Sequence, residues 1–269
     1  MAALQPLHTQ VLDVMRAELG EAMAAIPADV HGARKRCKKL RATLRLLRGP
    51  LGERYGPLNR AIRDAARALS GQRDDDVVAA LCTQLDKDAP ELAWGHLPDA
   101  LPAARPGSAG FEEAHALLQA VDDQLAAEGL PPITPEDLAN GLRNGYRRAR
   151  KRWRRALPNP KDAPPLHEWR KEVKYHMHHC QLLTPLWPSL KARRKALSRL
   201  ADGLGDHHDR YMLEQRIKAL GTHADAEHAH RLDQLAREQE WLAKRALRQA
   251  EALFALSPGA WWHRQTQPA

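Results

Sequence analysis

The residues best able to do chemistry in this chain occur in repeated groups. His31-x-x-Arg34-Lys35-x-x-Lys38 returns as His167-x-x-Arg170-Lys171-x-x-Lys174, an offset of 136 residues. Downstream, Leu69-x-x-x-Arg73-Asp74 returns as Leu204-x-x-x-His208-Asp209, an offset of 135. Spacings of three, four and seven residues place side chains on one face of an α-helix, roughly 5.4 Å apart along its axis. Winding from His31 at about 100° per residue puts Arg34, Lys35, Lys38, Arg41 and Arg45 on one side. Ala33, Cys37, Leu40, Leu44 and Leu47 fall opposite. No acid stands between Val30 and Leu51, so the like charges on this face repel with nothing in the helix to offset them. An external anion would supply the balance.

The second copy winds the same way. His167, Arg170, Lys171, Lys174 and His178 share a face with Gln181, and Trp169, Val173, His176, Cys180 and Leu183 oppose it. His176 is therefore expected in the core, with His179 between the two faces. A third strip, Arg143, Tyr146, Arg147, Arg150 and Arg154, precedes it. Arg148 and Arg152 of that run point elsewhere. The helix after each His motif adds Arg60, Arg63 and Arg67 in one case and Lys191, Arg194 and Lys195 in the other. Arg grips oxygens in a planar fork and Lys acts as a compact point charge. Rows of such donors one helical turn apart suit a linear polyanion, whose binding would release counterions and weaken with salt. The histidines add neutral hydrogen bonds, or charge where an anion raises their pKa.

Composition agrees with these strips. Across 269 residues, 42 Lys and Arg exceed 33 acids, a net charge of +9 with a pI near 9.7, which points to an anionic partner. Ala, Leu, Arg and Glu dominate while Phe occurs twice and Tyr four times, so the fold is expected to be all-α. Pro and Gly punctuation predicts helices over 6–26, 29–48, 54–70, 73–87 and 110–128. A second set follows over 135–156, 165–184, 189–204, 208–221 and 225–256. The stretch 89–110 reads as irregular, and 129–137 as the linker between halves. The expectation is one domain over 1–269 built from repeats 1–130 and 131–269, two halves that can face each other across a shared cleft.

Three scattered cysteines, Cys37, Cys82 and Cys180, lack metal spacing and suit a reducing cytosol. The N-terminus lacks the charged start and apolar core of a signal peptide, and no run approaches the ~18 apolar residues of a membrane span. A cytoplasmic protein is expected.

Rival chemistries fit less well. His207-His208-Asp209 and Asp74-Asp75-Asp76 invite a metal-dependent phosphohydrolase, but the flanking cations would repel a metal ion and no HExxH is present. Asp74 and Asp209 read instead as residues at helix N-termini, or as partners orienting basic side chains. General polyanion or nucleic-acid binding is allowed by charge. Single-strand binders, however, interleave aromatics with cations, and here Trp261-Trp262 stand at what reads as a loose C-terminus. The amphipathic segment near 231–254 has mixed charges and reads as a bundle helix, not a membrane binder.

The motifs resemble those of the CHAD family, the conserved histidine α-helical domain. The likeness rests on His31-Gly-Ala-Arg34-Lys35-Arg-Cys-Lys38-Lys39-Leu-Arg41 and on Leu69-Ser-Gly-Gln-Arg73-Asp74-Asp-Asp76-Val77. It rests equally on Leu166-His167-Glu-Trp-Arg170-Lys171-Glu-Val-Lys174 and Leu204-Gly205-Asp206-His207-His208-Asp209. Met177-His178 stands where the family's second motif runs on to Arg-Tyr. The resemblance implies two antiparallel helical bundles related by pseudo-twofold symmetry around a basic groove or pore. It also implies binding of inorganic polyphosphate without catalysis, metal or cofactor. By similarity, His31, Arg34, Lys35, Lys38, Arg41, Arg73, His167, Arg170, Lys171, Lys174 and His208 would hold the ligand. The strips add Arg45, Arg63, Arg67, Arg143, Arg147, Arg150, His178 and Lys195. Such a protein could be recruited to polyphosphate granules, with nucleic acid not its specific ligand.

Overall fold

The computed structural model of the chain describes residues 5–70, 72–97, 108–219 and 226–266, with the side chains of 72–76, 96, 108, 226, 227 and 266 outside the description. The described residues are helical throughout, with no strand among them. Helices α1 (Leu7–Ala24), α2 (Val30–Leu46), the single turn α3 (Arg48–Leu51), α4 (Tyr55–Ala68), α5 (Gln72–Asp88) and α6 (Ser108–Glu128) come first. They are followed by α7 (Pro135–Ala156), α8 (Ala163–Leu183), α9 (Leu190–Ala219), α10 (Ala226–Phe254) and α11 (Pro258–Thr266).

Local chemistry starts and stops these helices. Asp29 caps α2 by accepting from Gly32 N at 2.7 Å. Thr134 and Asp137 form a reciprocal capping box ahead of Pro135 at the head of α7. Gly129, at φ +63°, takes the left-handed turn that ends α6, a conformation its missing Cβ makes cheap.

Helices α1, α2, α4 and α6 pack in a ring of four, and α7, α8, α9 and α10 form another. The rings meet where α2 lies against α8 and α7, and where α5 reaches α9. One large core runs through both, from Met15, Leu19 and Leu40 to Trp169, Leu200 and Phe254. A smaller core joins Val78, Cys82 and Leu85 of α5 to Trp94, Leu213 and Leu235. The apolar faces wound from the sequence are the buried ones: Ala33, Cys37, Leu40 and Leu44 on α2, and Trp169, Val173, His176, Cys180 and Leu183 on α8. That burial supplies most of what holds each helix in place.

Three expectations need correction. The helices read at 189–204 and 208–221 are one helix, α9, as far as Ala219, beyond which the description pauses. Gly205 does not break it: the residue is buried within the helix, where α9 packs against α8 and α10. Asp209 is consequently mid-helix, not at a helix N-terminus. Second, Trp261 is no part of a loose tail. Ser257 caps α11 through Ala260 N, and Trp261 is buried against Tyr146, their rings parallel at 4.3 Å. Ser257 and Pro258, placed just past the end of α10, open this helix. Third, the irregular stretch begins with two short 3₁₀ turns, Pro90–Leu92 and Trp94–His96. Buried Arg231 ties them down by donating to the carbonyls of Leu92 and Ala93 at 2.8 and 3.0 Å. Residues 98–107 of that stretch lie outside the described residues.

Candidate functional site

The two repeated His motifs converge because α2 and α8 pack face to face. His179 contacts the Ala42 carbonyl at 2.9 Å, and Arg45 pairs with Glu172 at 2.6 Å. Beside this contact lies a cavity of about 510 Å³. Helix α2 contributes Arg34, Lys38 and Arg41 to it, α4 contributes Arg63, and α5 contributes Val77 and Val78. Helix α8 supplies His167, Arg170, Lys171, Lys174, Tyr175 and His178, and α9 supplies His208, Asp209, Met212 and Arg216. Among the described residues, the lining thus sets eight guanidinium and ammonium groups against one carboxylate, Asp209. Cations gathered around a cavity in lower dielectric repel more strongly than on an open helix face, and an anion placed among them relieves that repulsion.

Several of these groups are oriented by neighbours. Arg34 Nη1 donates to the Ala66 carbonyl at 3.0 Å near the end of α4, and Arg41 Nε donates to Asn59 Oδ1 at 3.1 Å. The Tyr175 ring carries the Arg45 guanidinium 4.3 Å from its centroid and that of Arg41 at 6.0 Å. Lys171 pairs with Glu168 at 2.7 Å, and Arg63 with Asp64 at 3.0 Å. Both pairs are solvent-exposed and can be exchanged for a ligand at small cost.

The cavity histidines are held neutral. Their Nδ1 atoms bring His167 and His208 to 3.1 Å, with ring centroids 4.2 Å apart, so one ring donates and the other accepts. Burial, reinforced by Lys171 and Arg170, pushes His167 down to about 4. Burial, then His167 and Arg170, pushes His208 down to about 3. Burial likewise takes His178 to about 4 against a bond to Gln181 that opposes it.

Not every residue expected at the site is brought here. His31 and Lys35 are exposed on α2 outside the cavity lining, and Arg67 is exposed near Asp64 at 3.8 Å. Arg45 turns away towards Glu172 and lines a different cavity. The strip of α7 is spent on its own surroundings. Arg143 bonds Glu136 and Asn140, Arg147 bonds Asn144 at 2.6 Å, and Arg150 donates to the Phe254 and Ala255 carbonyls at the end of α10. A strip of cations therefore marks a helix end to be capped as readily as a ligand. Lys195 is exposed and does not line the cavity. Arg73 lies on α5, and its side chain is outside the described residues.

The cavity also includes residues that sequence reasoning did not select: Tyr175, Asp209, Met212 and Arg216. A signal for two of them existed. His208, Met212 and Arg216 stand at i, i+4 and i+8, one face of α9, once that helix is read as running through Gly205.

Among the described residues, no three or more His, Cys, Asp or Glu side chains stand together as a potential metal site. No helix among them is long and apolar enough to cross a membrane.

Comparison with known proteins bears on this arrangement in two ways. The family model of the CHAD domain matches residues 7–218. The fold is similar to a crystal structure of the CHAD domain from the plant Ricinus communis, with a TM-score of 0.56 at 17% identity, covering 100% of this chain and 94% of that one. No curated protein sequence matches the chain.

Proposed function

The chain belongs to the CHAD domain family, and we propose that it binds inorganic polyphosphate, without transforming it, in the cavity between α2, α4, α5, α8 and α9. The observation that carries this reading is the lining itself: among the described residues, Arg34, Lys38, Arg41, Arg63, Arg170, Lys171, Lys174 and Arg216 stand against one carboxylate, Asp209. Such a lining selects for dense negative charge, and among the described residues it offers no second carboxylate for acid–base work.

In this reading the guanidinium forks take phosphate oxygens, Lys38, Lys171 and Lys174 supply point charge, and His178 and the accepting ring of the His167–His208 pair donate hydrogen bonds. Exposed His31, Lys35 and Arg67 continue the α2 and α4 strips outward, where a longer chain would run. Arg73 belongs with them by its motif. The repeats 1–130 and 131–269 are, on the same reading, halves of a duplicated unit whose motif helices meet at α2 and α8, which accounts for one site drawing on both. A cytoplasmic setting, with recruitment to polyphosphate granules, follows from the ligand.

Competition separates this from general polyanion binding. With a labelled polyphosphate bound, unlabelled polyphosphate should displace it at a far lower phosphate concentration than single-stranded DNA or RNA does. Equal displacement by nucleic acid would reduce polyphosphate to one polyanion among many. Steady orthophosphate release in Mg²⁺, Mn²⁺ or Zn²⁺ would overturn the non-catalytic part.

A further inference from the structure

A second cavity, of about 400 Å³, lies where the end of α2, the turn α3 and the early part of α7 meet. It shares no lining residue with the first. Three cations line it, Arg45, Arg48 and Arg148, with Asn140, Asn144 and Asp137. Gly141 closes it on one side: a Cβ there would stand 2.1 Å from the Leu46 carbonyl oxygen, so α7 sits directly against the end of α2.

The polar groups are unevenly matched. Glu172 must serve two guanidinium groups, accepting from Arg45 at 2.6 Å and from Arg148 at 3.3 Å. Arg45 Nε and Arg148 Nη2 remain buried without an acceptor, and burial together with the Arg45 charge holds the Arg148 pKa below its ordinary value. Arg48 is exposed, its guanidinium 5.0 Å over the Tyr55 ring. The acceptors, by contrast, are engaged. Asn140 Oδ1 and Asn144 Oδ1 take bonds from Arg143 and Arg147, which leaves both amide NH₂ groups as donors. Of the Asp137 carboxylate, Oδ2 is engaged, accepting from the Thr134 amide and hydroxyl at 2.9 and 2.7 Å.

We propose that this cavity is a second, independent anion site that takes a small tetrahedral oxyanion such as orthophosphate. Donors from three elements surround it, which suits an anion accepting bonds in several directions more than a planar carboxylate. Three cations beside the Asp137 charge, against eight in the first cavity, favour a small anion over a long polyanion.

The test follows the side-chain amide resonances of Asn140 and Asn144 in ¹⁵N-labelled protein during titration with inorganic phosphate at fixed ionic strength. Saturable shifts of both amides are expected. They should persist in the Lys38→Ala/Lys174→Ala variant of the first cavity and weaken by about tenfold or more in Arg48→Glu, whose side chain is exposed. Asn144→Asp, also at an exposed position, should abolish them at Asn140. Absence of saturable shifts, or equal shifts with sodium chloride or acetate, would overturn the proposal. Polyphosphate binding in the first cavity is read out separately, so either reading can fail without the other.

Discussion

At the scale of single residues, the cavity histidines determine how binding and stability respond to pH. His167, His178 and His208 have values of about 4, 4 and 3 in the anion-free fold, against 6.5 for an unperturbed histidine. Buried His207 and His179 are lowered alike, to about 4 and about 3. The unfolded chain therefore binds more protons than the folded one below the ordinary value. Their contribution to stability is complete above pH 6.5 and is lost as pH falls through about 4 and 3. Thermal melts should show Tm falling across that window in the absence of ligand, and a flat profile would contradict the assignment. A bound polyanion raises the pKa of His167 and His208, so binding should take up protons as pH falls towards their values of about 4 and about 3. Calorimetry in buffers of different ionisation enthalpy measures this directly, and His208→Gln should reduce the uptake. The sequence separated core from strip here, since His176 and His178 are distinguished by winding alone. It could not show that His167 and His208 meet at 3.1 Å, because that contact depends on how α8 lies against α9.

At the scale of helices, close approach explains which small residues matter. A Cβ on Gly145 would stand 2.6 Å from His179 Nδ1, while the other ring nitrogen of His179 is fixed on the Ala42 carbonyl. Gly145→Ala should therefore destabilise the α7–α8–α2 contact by about 1–3 kcal/mol, read as a shift in the urea midpoint. An unchanged midpoint would mean the helices have slack at this crossing. Helix identity was readable in advance at most positions, because caps such as Asp29 and Thr134 and the apolar faces of α2 and α8 are local signals. The run through Gly205 was not, because glycine's tendency to end helices is overridden by the packing of α9 against α8 and α10. The role of the α7 arginines was hidden for a similar reason. Arg150 caps the end of α10, and no spacing within α7 distinguishes that from ligand binding.

At the scale of the molecule, two rings of helices share one core, and the C-terminal helix fastens onto the second ring. Trp261 packs on Tyr146, whose hydroxyl donates to the Leu256 carbonyl at 2.8 Å, with the half-buried Arg193 guanidinium set among Tyr146, Phe254 and Trp261. Trp261→Ala should cost about 3–5 kcal/mol in denaturant unfolding, whereas a tail residue would cost almost nothing. The same architecture concentrates cations from both halves of the chain at one cavity, and the proposed polyphosphate binding rests on that concentration. It is tested most directly by polyphosphate titration of three proteins over a range of salt concentrations: the unmodified chain, Lys38→Ala/Lys174→Ala in the cavity, and Arg147→Ala/Lys195→Ala outside it. The cavity variant should stay folded, lose at least about tenfold in affinity and show a salt slope shallower by about two, while the outer variant should change by no more than about twofold. Equal losses in the two variants, or full affinity in a folded cavity variant, would contradict it.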